Sequence, residues 1–410
     1  MVNEQNCKQE IDRLQQQYEH CVTEQDRLRL LLEQESQARE EAERALKNKA
    51  NFVAFLSHEI RNPANGIIAM TDLLSDTRLT KEQKSYLEII QTSNESLMEL
   101  INGILDMSRL EAGKMTIANN PFDVVNTVED LMYMLAPQAF KKEVEVILDV
   151  ESEIPLFVIG DVLKVRQIFL NLMQNSIKFT HTGQIVFELK RMPSLYEDRI
   201  NVGFAVRDTG IGMSEDQVAR IFDVYAQVHE NAEHHYGGSG LGLSITKNLV
   251  ELLGGEIEVS SRQNEGTSIE IVLSFERYTD IPSIPFENDV LSGMRFLLLE
   301  RQDTSRDVIS NMLEGWGASV QAEKEVDAGL IERARNGEFD ILLADRSTIH
   351  ENQTFARLSE IKGLNIFLLA RLGEKVEDEE RSRFRSIITK PIRKLHLLNA
   401  ILAMDKNVQD

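Results

Sequence analysis

Residues 51–70 read NFVAFLSHEIRNPANGIIAM, a stretch with the apolar spacing of an amphipathic helix. It carries His58, with Glu59 beside it and Asn62 about one helical turn further along the same face. A histidine in such a helix is either an ordinary surface side chain or the chemical centre of the protein. The sequence that precedes this helix helps to separate the two interpretations.

An apolar seam with heptad spacing runs through residues 1–48 and predicts a coiled coil that pairs with a second copy. Its members are Ile11, Leu14, Tyr18, Cys21, Leu28 and Leu32. The same register places Leu56 and Ile60 on the seam and His58 at the position furthest from it. We therefore expect a parallel dimer with an imidazole that faces solvent; the alternative for residues 1–48 is a solvated single helix.

A second helix is predicted from Thr80, a suitable N-cap, to about Gly113. The link SDTRLT at residues 75–80 is short enough to make the two helices an antiparallel hairpin over residues 49–118. Two such hairpins from two chains would form a four-helix bundle.

Composition excludes several classes of function. The formal net charge of -22 argues against nucleic-acid binding, which needs a basic face. No apolar run reaches the length of a membrane-spanning helix, and the two cysteines give no disulfide framework. We expect either a cytoplasmic protein or the cytoplasmic portion of a longer, membrane-tethered one.

The rest of the chain is predicted to contain two α/β domains. Over residues 119–278, segments such as QIVFELKR, INVGFAVRD and TSIEIVLSF alternate with helical stretches and predict an α/β sandwich. Residues 279–293 contain two prolines in a polar stretch and are typical of a linker. From residue 294 to 410, strands alternate with helices, which predicts a doubly wound, parallel sheet.

Polar residues in the first of these domains fall where a phosphorylated ligand would need them. Asn171 and Asn175 share one face of a helix, where amide oxygens suit Mg²⁺, and Lys178 can reach a phosphate. Asp208 ends a strand and can accept a hydrogen bond from an amino group such as that of adenine. The alternatives are surface asparagines and a tight turn.

Two glycine-containing segments complete this pattern. Gly210 and Gly212 allow the backbone to approach a planar ring, and the loop YGGSGLGLSI at 236–245 leads into a helix N-terminus that can bind phosphate. Thr267 follows Gly266 at the start of a strand. Taken alone, the first segment is also consistent with a tight turn and the second with a flexible loop.

Taken together and in this order, these segments resemble those of a known family. SHEIRNP resembles the phosphoacceptor box of sensor histidine kinases of the hybrid type, and NLMQNSIKFT, DTGIGM, IFDVYAQ and YGGSGLGLSI resemble their nucleotide-binding boxes. The resemblance covers residues 50–278. It implies ATP as cofactor, Mg²⁺ on Asn175, adenine recognition by Asp208 and a mobile lid over residues 227–239. The cofactor-binding residues it implies are Asn171, Asn175, Lys178, Asp208, Gly210, Gly212, Gly238, Ser239, Gly240, Leu241, Gly242 and Thr267.

The predicted function is therefore an ATP-dependent protein-histidine kinase that autophosphorylates His58. A largely neutral imidazole is a usable nucleophile, and Glu59 can take its second proton. By resemblance, Asn62 orients water for a phosphatase activity. The phosphoryl group would pass to an aspartate of a receiver, in a response regulator, in a phosphorelay or in a missing segment of this protein. The alternatives are an inactive, kinase-like scaffold and an ATPase of the same superfamily, whose catalytic glutamate is replaced here by Asn171.

The C-terminal domain, residues 294–410, resembles a response-regulator receiver but departs from it. Asp345 occupies the phosphoacceptor position and Lys390 the position of the invariant lysine, whereas Glu300 and Arg301 stand where two metal-binding acids are expected. We therefore predict a pseudo-receiver that does not accept phosphate and that regulates the kinase by docking on it. Four cations at the predicted strand ends, namely Arg301, Arg346, Arg371 and Lys390, indicate an anionic ligand or a solvated surface.

Overall fold

The computed structural model describes residues 55–151, 153–223, 240–279, 289–350, 357–377 and 381–404, together with scattered helical positions between 24 and 53. The predicted coiled coil and the predicted lid lie largely or wholly outside these residues. The chain forms two compact units, residues 1–116 and 117–410, which are described separately. None of the described helices has the combined length and apolar character needed to cross a lipid bilayer.

The first unit contains the helical hairpin. Helix α1 covers residues 55–75 and continues through Pro63, and α2 covers Lys81–Glu111. Thr80 accepts a hydrogen bond from the Gln83 backbone N–H while the Gln83 side chain accepts one from the Thr80 N–H, so a capping box starts α2. The helices are joined by a buried bond in which Asn94 Nδ2 donates to Ala64 O at 2.9 Å.

A broad apolar surface on the hairpin is exposed within a single chain. Its members are Leu56, Ile60, Ile67, Met70, Leu73, Leu74, Tyr86, Ile89, Ile90, Leu97 and Ile104. An exposed apolar surface of this kind is typical of an interaction site.

The second unit begins with a seven-stranded mixed sheet. Its strands are β1 (Asn120–Asp123), β2 (Glu145–Val150), β3 (Phe157–Gly160), β4 (Gln184–Met192), β5 (Arg199–Asp208), β6 (Glu256–Arg262) and β7 (Gly266–Arg277). The order is β1-β3-β7-β5-β4-β2, with β6 paired to β7, so β2 is an outer strand. All pairs are antiparallel except β2 with β4.

Helices in this part of the chain are α3 (Val124–Phe140), α4 (Val162–Phe179), α5 (Glu215–Arg220) and α6 (Gly242–Leu252). Helix α4 packs on the sheet through Phe169, whose ring centroid lies 4.6 Å from that of Phe204 and 5.2 Å from that of Phe187. Asp161 caps α4 by accepting hydrogen bonds from the N–H groups of Leu163 and Lys164. This packing fixes the face of α4 that carries the predicted site residues.

A five-stranded parallel sheet follows. Its strands are β8 (Arg295–Leu299), β9 (Ser319–Glu323), β10 (Ile341–Asp345), β11 (Asn365–Arg371) and β12 (Ser386–Lys390), in the order β12-β11-β10-β8-β9. The helices are α7 (Asp303–Glu314), α8 (Ala328–Arg335), α9 (Arg346–His350) and α10 (Lys394–Leu402). Separate apolar cores cover the two faces of the sheet, as in a doubly wound fold.

Candidate functional site

The hairpin presents its polar residues to solvent. His58, Glu59 and Asn62 are all exposed on α1, whereas Ser57 and Ala64 of the same helix are buried. His58 and Asn62 are four residues apart and share one face. An external group can therefore reach the imidazole without any rearrangement of the hairpin.

In the seven-stranded sheet, Asp208 ends β5 and is held from two sides. Its Oδ2 accepts a hydrogen bond from Ser176 Oγ at 3.1 Å, and its Oδ1 accepts one from the Gly210 N–H at 3.0 Å. Burial raises the pKa of Asp208, and these two hydrogen bonds oppose the shift. Each carboxylate oxygen retains a lone pair, so the ionised form can still accept a bond from an amino group.

The turn after Asp208 is in close contact with the connection between β6 and β7. Gly212 has φ +61°, and a Cβ there would lie 1.8 Å from the carbonyl oxygen of Arg262, so no side chain fits. Beside it, Ser261 Oγ contacts Thr267 Oγ1 at 3.0 Å and accepts a bond from the Met213 N–H. Thr267 is paired in register with Asp208 across β5 and β7. The protein's own contacts therefore hold this part of the turn against the β6–β7 connection.

The α4 residues occupy the adjoining face. Asn171 Nδ2 donates to Thr246 Oγ1 of α6 at 2.6 Å, and Asn175 Nδ2 lies 3.5 Å from Asn171 Oδ1. Asn171 therefore joins two helices and orients the Asn175 amide. Lys178, in the last turn of α4, has its Nζ 5.0 Å from the centroid of the Phe179 ring.

The glycine loop is described only at its C-terminal end. Gly240 has φ +65°, Leu241 is buried, and Gly242 begins α6, whose N-terminus has no side-chain cap. Gly238 and Ser239 lie outside the described residues. A helix N-terminus without a side-chain cap offers N–H groups to a phosphate.

These residues fit a nucleotide with its metal ion. The Asp208 carboxylate supplies an acceptor for a base amino group, the start of α6 supplies donors for phosphate, and the Asn175 amide oxygen suits Mg²⁺. A bound metal ion would neutralise phosphate charge.

Ser176 and Ser261 were not singled out from the sequence, because a serine inside a recognisable segment gives no separate signal of its hydrogen-bond partner.

We expect replacement of Asp208 with Asn to weaken nucleotide binding by roughly 10- to 100-fold, because a hydrogen bond to a charged group contributes about 1.5–3 kcal/mol. Isothermal titration with an ATP analogue measures this effect. Because burial raises the Asp208 pKa, the wild-type affinity should fall as pH drops through that raised pKa, whereas the Asp208→Asn affinity should lack this dependence. Equal nucleotide affinities of the native chain and Asp208→Asn at neutral pH would show that Asp208 does not contribute to nucleotide binding.

A second cluster of charge lies at the strand ends of the five-stranded sheet. Lys390 Nζ lies 2.8 Å from Asp345 Oδ2, 2.7 Å from Glu300 Oε2 and 2.6 Å from Glu145 Oε1. All four residues are at most 7% exposed. Burial opposes the charge on Lys390, but attraction to the three carboxylates outweighs it and raises the lysine pKa. The pKa of Asp345 is lowered because Lys390 and Ser347 outweigh the effect of burial.

Glu145 belongs to β2 of the seven-stranded sheet, so this cluster joins the two sheets. Its Oε2 also accepts a hydrogen bond from Arg371 Nη2 at 3.0 Å. We call the residues that form these contacts the docking surface. The part of the chain that contains the seven-stranded sheet contributes Asp130, Tyr133, Phe140, Glu145 and Gln184. The part that contains the five-stranded sheet contributes Gln302, Thr304, Arg371, Thr389, Lys390 and Arg393.

The predicted cations at the strand ends are engaged to different degrees. Arg346 is buried, donates to Lys375 O at 2.6 Å and lies 3.3 Å from Glu374. Arg301 is half-buried directly after Glu300. Since Arg371 and Lys390 bind carboxylates, the protein itself supplies anionic partners for this cluster. The expected small anionic ligand stays a prediction.

Comparisons with known proteins agree with this geometry. Residues 48–113 match the family described as "His Kinase A (phospho-acceptor) domain". Residues 160–277 match "Histidine kinase-, DNA gyrase B-, and HSP90-like ATPase". The first match contains His58 and the second contains Asp208, so each part of the predicted site falls within a recognised family.

Curated relatives and a solved structure extend the similarity. Sensor histidine kinase GacS of Pseudomonas protegens is 38% identical over 295 residues, which are 71% of this chain and 32% of the relative. Hybrid signal transduction histidine kinase C of Dictyostelium discoideum is 30% identical over 376 residues, 88% of this chain and 30% of the relative. The crystal structure of full-length ShkA in complex with AMPPNP has a TM-score of 0.66 at 27% identity, over 86% of this chain and 71% of that chain. The chain thus spans about a third of the length of these curated relatives.

Proposed function

The chain contains the paired phosphoacceptor and ATPase domains of a hybrid-type sensor histidine kinase core, and from this premise we propose that it is a protein-histidine kinase that transfers the γ-phosphoryl group of ATP to His58. The bond between the terminal phosphorus and the bridging oxygen of ATP breaks, a bond between phosphorus and an imidazole nitrogen forms, and ADP leaves. Glu59 accepts the proton that the ring loses.

The observation that carries this proposal is the pairing of an exposed His58 on a phosphoacceptor hairpin with a fixed Asp208 turn in an ATPase fold. Incubation of the purified chain with ATP labelled at the γ-phosphate tests it. We expect protein label that is lost in acid and retained in base, as a phosphoramidate requires. Nucleotide binding without such label would refute the kinase and favour an inactive scaffold.

We propose that the active form is a homodimer. The exposed apolar surface of the hairpin includes Leu56 and Ile60, the two residues that the heptad register assigns to the seam. A second copy would cover this surface in a four-helix bundle while His58 stays exposed. The coiled coil proposed for residues 1–48 extends the same seam.

The phosphoryl group is proposed to move from His58 to an aspartate of a separate receiver domain, in a response regulator or a phosphorelay, or in a segment beyond this chain. Asn62 lies on the same face as His58 and supports a phosphatase activity on such a partner. Simple ATP hydrolysis is less well supported. Asn171 stands where the related ATPases have a catalytic glutamate, and its amide donates to Thr246.

Residues 294–410 are proposed to act as a regulatory pseudo-receiver, called here the receiver-like domain. Its Asp345 is buried and bound to Lys390, and Glu145 of the seven-stranded sheet lies 2.6 Å from the same lysine. A donor histidine cannot approach Asp345 in this arrangement. Docking therefore replaces phosphorylation as the proposed use of this surface.

We expect Asp345→Asn to leave both the labelling of His58 and the transfer of label to a cognate receiver unchanged within about twofold, since Asn can still accept a bond from Lys390. Phosphotransfer assays with purified partner receivers measure this. Thermal unfolding serves as the control for folding of the variant. Loss of transfer with unchanged His58 labelling would show that Asp345 is a phosphoacceptor after all.

A further inference from the structure

The docking surface is connected to the nucleotide site through Gln184, the first residue of β4. Gln184 Nε2 donates to Thr304 Oγ1 at 3.0 Å, and Gln184 Oε1 accepts a hydrogen bond from Gln302 Nε2. Gln302 is the N-cap of α7, and Thr304 lies in its first turn. The Gln184 side chain therefore binds the receiver-like domain and no other described element.

The backbone of the same residue binds the turn that carries Asp208. The Gln184 N–H donates to Thr209 Oγ1 at 3.0 Å, and the Thr209 N–H donates to Gln184 O at 3.1 Å. Thr209 directly follows Asp208 in the chain. Gln184 thus binds the receiver-like domain through its side chain and the turn that carries Asp208 through its main chain.

The neighbouring Gly183 brings the chain close to Thr209. It has φ +103°, and a Cβ there would lie 2.2 Å from Thr209 Oγ1, so the two segments are in close contact. Its carbonyl oxygen accepts a hydrogen bond from the Glu145 N–H at 2.9 Å, and the Glu145 side chain binds Lys390 and Arg371. Two separate docking contacts therefore converge on residues 183–184.

We propose that Gln184 is a positioning residue that couples docking of the receiver-like domain to nucleotide binding, so that the docked domain strengthens binding at Asp208. When the domain is released, the Gln184 side chain loses its two hydrogen-bond partners. The turn that carries Asp208 and Thr209 then gains conformational freedom, and nucleotide binding must remove it. By linkage, ATP strengthens docking by the same factor. The inference rests on the proposed function only for the assignment of the nucleotide site.

The experiment is a double-mutant cycle in the full chain, with the Kd for a fluorescent ATP analogue as the measurement. We expect Gln184→Ala to weaken binding by about fivefold, the lower end of typical coupling between sites. Thr304→Val should weaken it by less, because Gln302 still donates to Gln184. The double variant should bind no more weakly than Gln184→Ala, because that substitution already removes the bond to Thr304. Unchanged affinities, or effects that multiply in the double variant, would overturn the proposal.

Two further variants separate coupling from a merely structural role. Gln184→Glu can accept bonds from both Gln302 and the Thr304 hydroxyl, so it should restore most of the affinity that Gln184→Ala loses. Gln321→Ala is the matched control, because Gln321 binds Arg333 and Glu323 within the receiver-like domain. A fivefold loss in this control, or no recovery with glutamate, would contradict the assigned role of Gln184.

The reciprocal measurement uses a pair of dyes on cysteines introduced at Leu195 and Arg335, in a background with Cys7 and Cys21 replaced by serine. We expect the ATP analogue to raise the docked fraction in the otherwise native chain and to leave it unchanged with Gln184→Ala. These readouts need no phosphotransfer. Coupling without label on His58 would refute the kinase alone, label without coupling would refute this inference alone, and absence of nucleotide binding would refute both.

Discussion

Replacing His58 with Gln abolishes incorporation of labelled phosphate, a loss we expect to exceed about a thousandfold, as for removal of other catalytic nucleophiles. The amide has no basic nitrogen that can form a phosphoramidate. His58 is exposed on the hairpin, so the substitution leaves the buried packing of Ser57 and Ala64 intact. The assay is acid-labile label on the full chain, followed over time.

Nucleotide affinity is the internal control for this result. It should be the same in His58→Gln and in the native chain, because the substitution alters only the phosphoacceptor. His396→Gln is a matched control, since His396 is also exposed on a helix, α10. Residual label at the native rate in His58→Gln would place the phosphoacceptor elsewhere in the chain.

Lys390→Met should destabilise the receiver-like domain by about 3–5 kcal/mol, the usual result when one partner of a buried ion pair is removed. The substitution leaves the carboxylates of Glu145, Glu300 and Asp345 buried together without their shared cation. Chemical denaturation should show a separate, early transition for this domain. The kinase hairpin should keep its own stability.

Arg371→Met separates docking from folding. Arg371 binds Glu145 across the docking surface and lies 5.5 Å from the centroid of the Phe140 ring, but it takes no part in the Lys390–Asp345 pair. We expect this variant to weaken docking while the domain keeps nearly native stability. If Lys390→Met and Arg371→Met had the same effect on unfolding, the buried cluster would have no special role in the fold.

Charge at Lys390 also sets a pH expectation. Burial opposes its charge, but the three carboxylates outweigh burial and raise its pKa. The stabilisation it gives is therefore fully present below the ordinary lysine pKa and is lost only as pH rises through the raised value. We therefore expect Lys390 to stay protonated at neutral pH, so its titration should not change the stability of the domain in that range.

Local patterns predicted the elements that build the candidate site. Thr80 forms the expected N-cap of α2, and Asp208 ends a strand as the run INVGFAVRD indicated. The two four-residue strands β1 and β3 were not predicted, because such short segments carry little periodicity. The family resemblance, rather than periodicity, was needed to assign a cofactor.

Contacts between distant residues could not be predicted in the same way. Glu145 and Lys390 are far apart in sequence, and neither lies in a pattern that names the other as a partner. Gln184 was treated only as part of the strand QIVFELKR, since a glutamine at the start of a strand is usually a surface residue. Its role depends on the packing of α7 against the neighbouring β2, which only the three-dimensional structure provides.

The position of β2 at the outside of its sheet has a practical consequence for shortened versions of this protein. Helix α7 packs beside β2 and covers that edge, and its Val308 and Met312 line the same small cavity as Ile147. A chain ended in the linker would leave an apolar strand with free backbone donors and acceptors, the kind of edge through which proteins aggregate. Expression of the kinase core alone would therefore benefit from keeping α7.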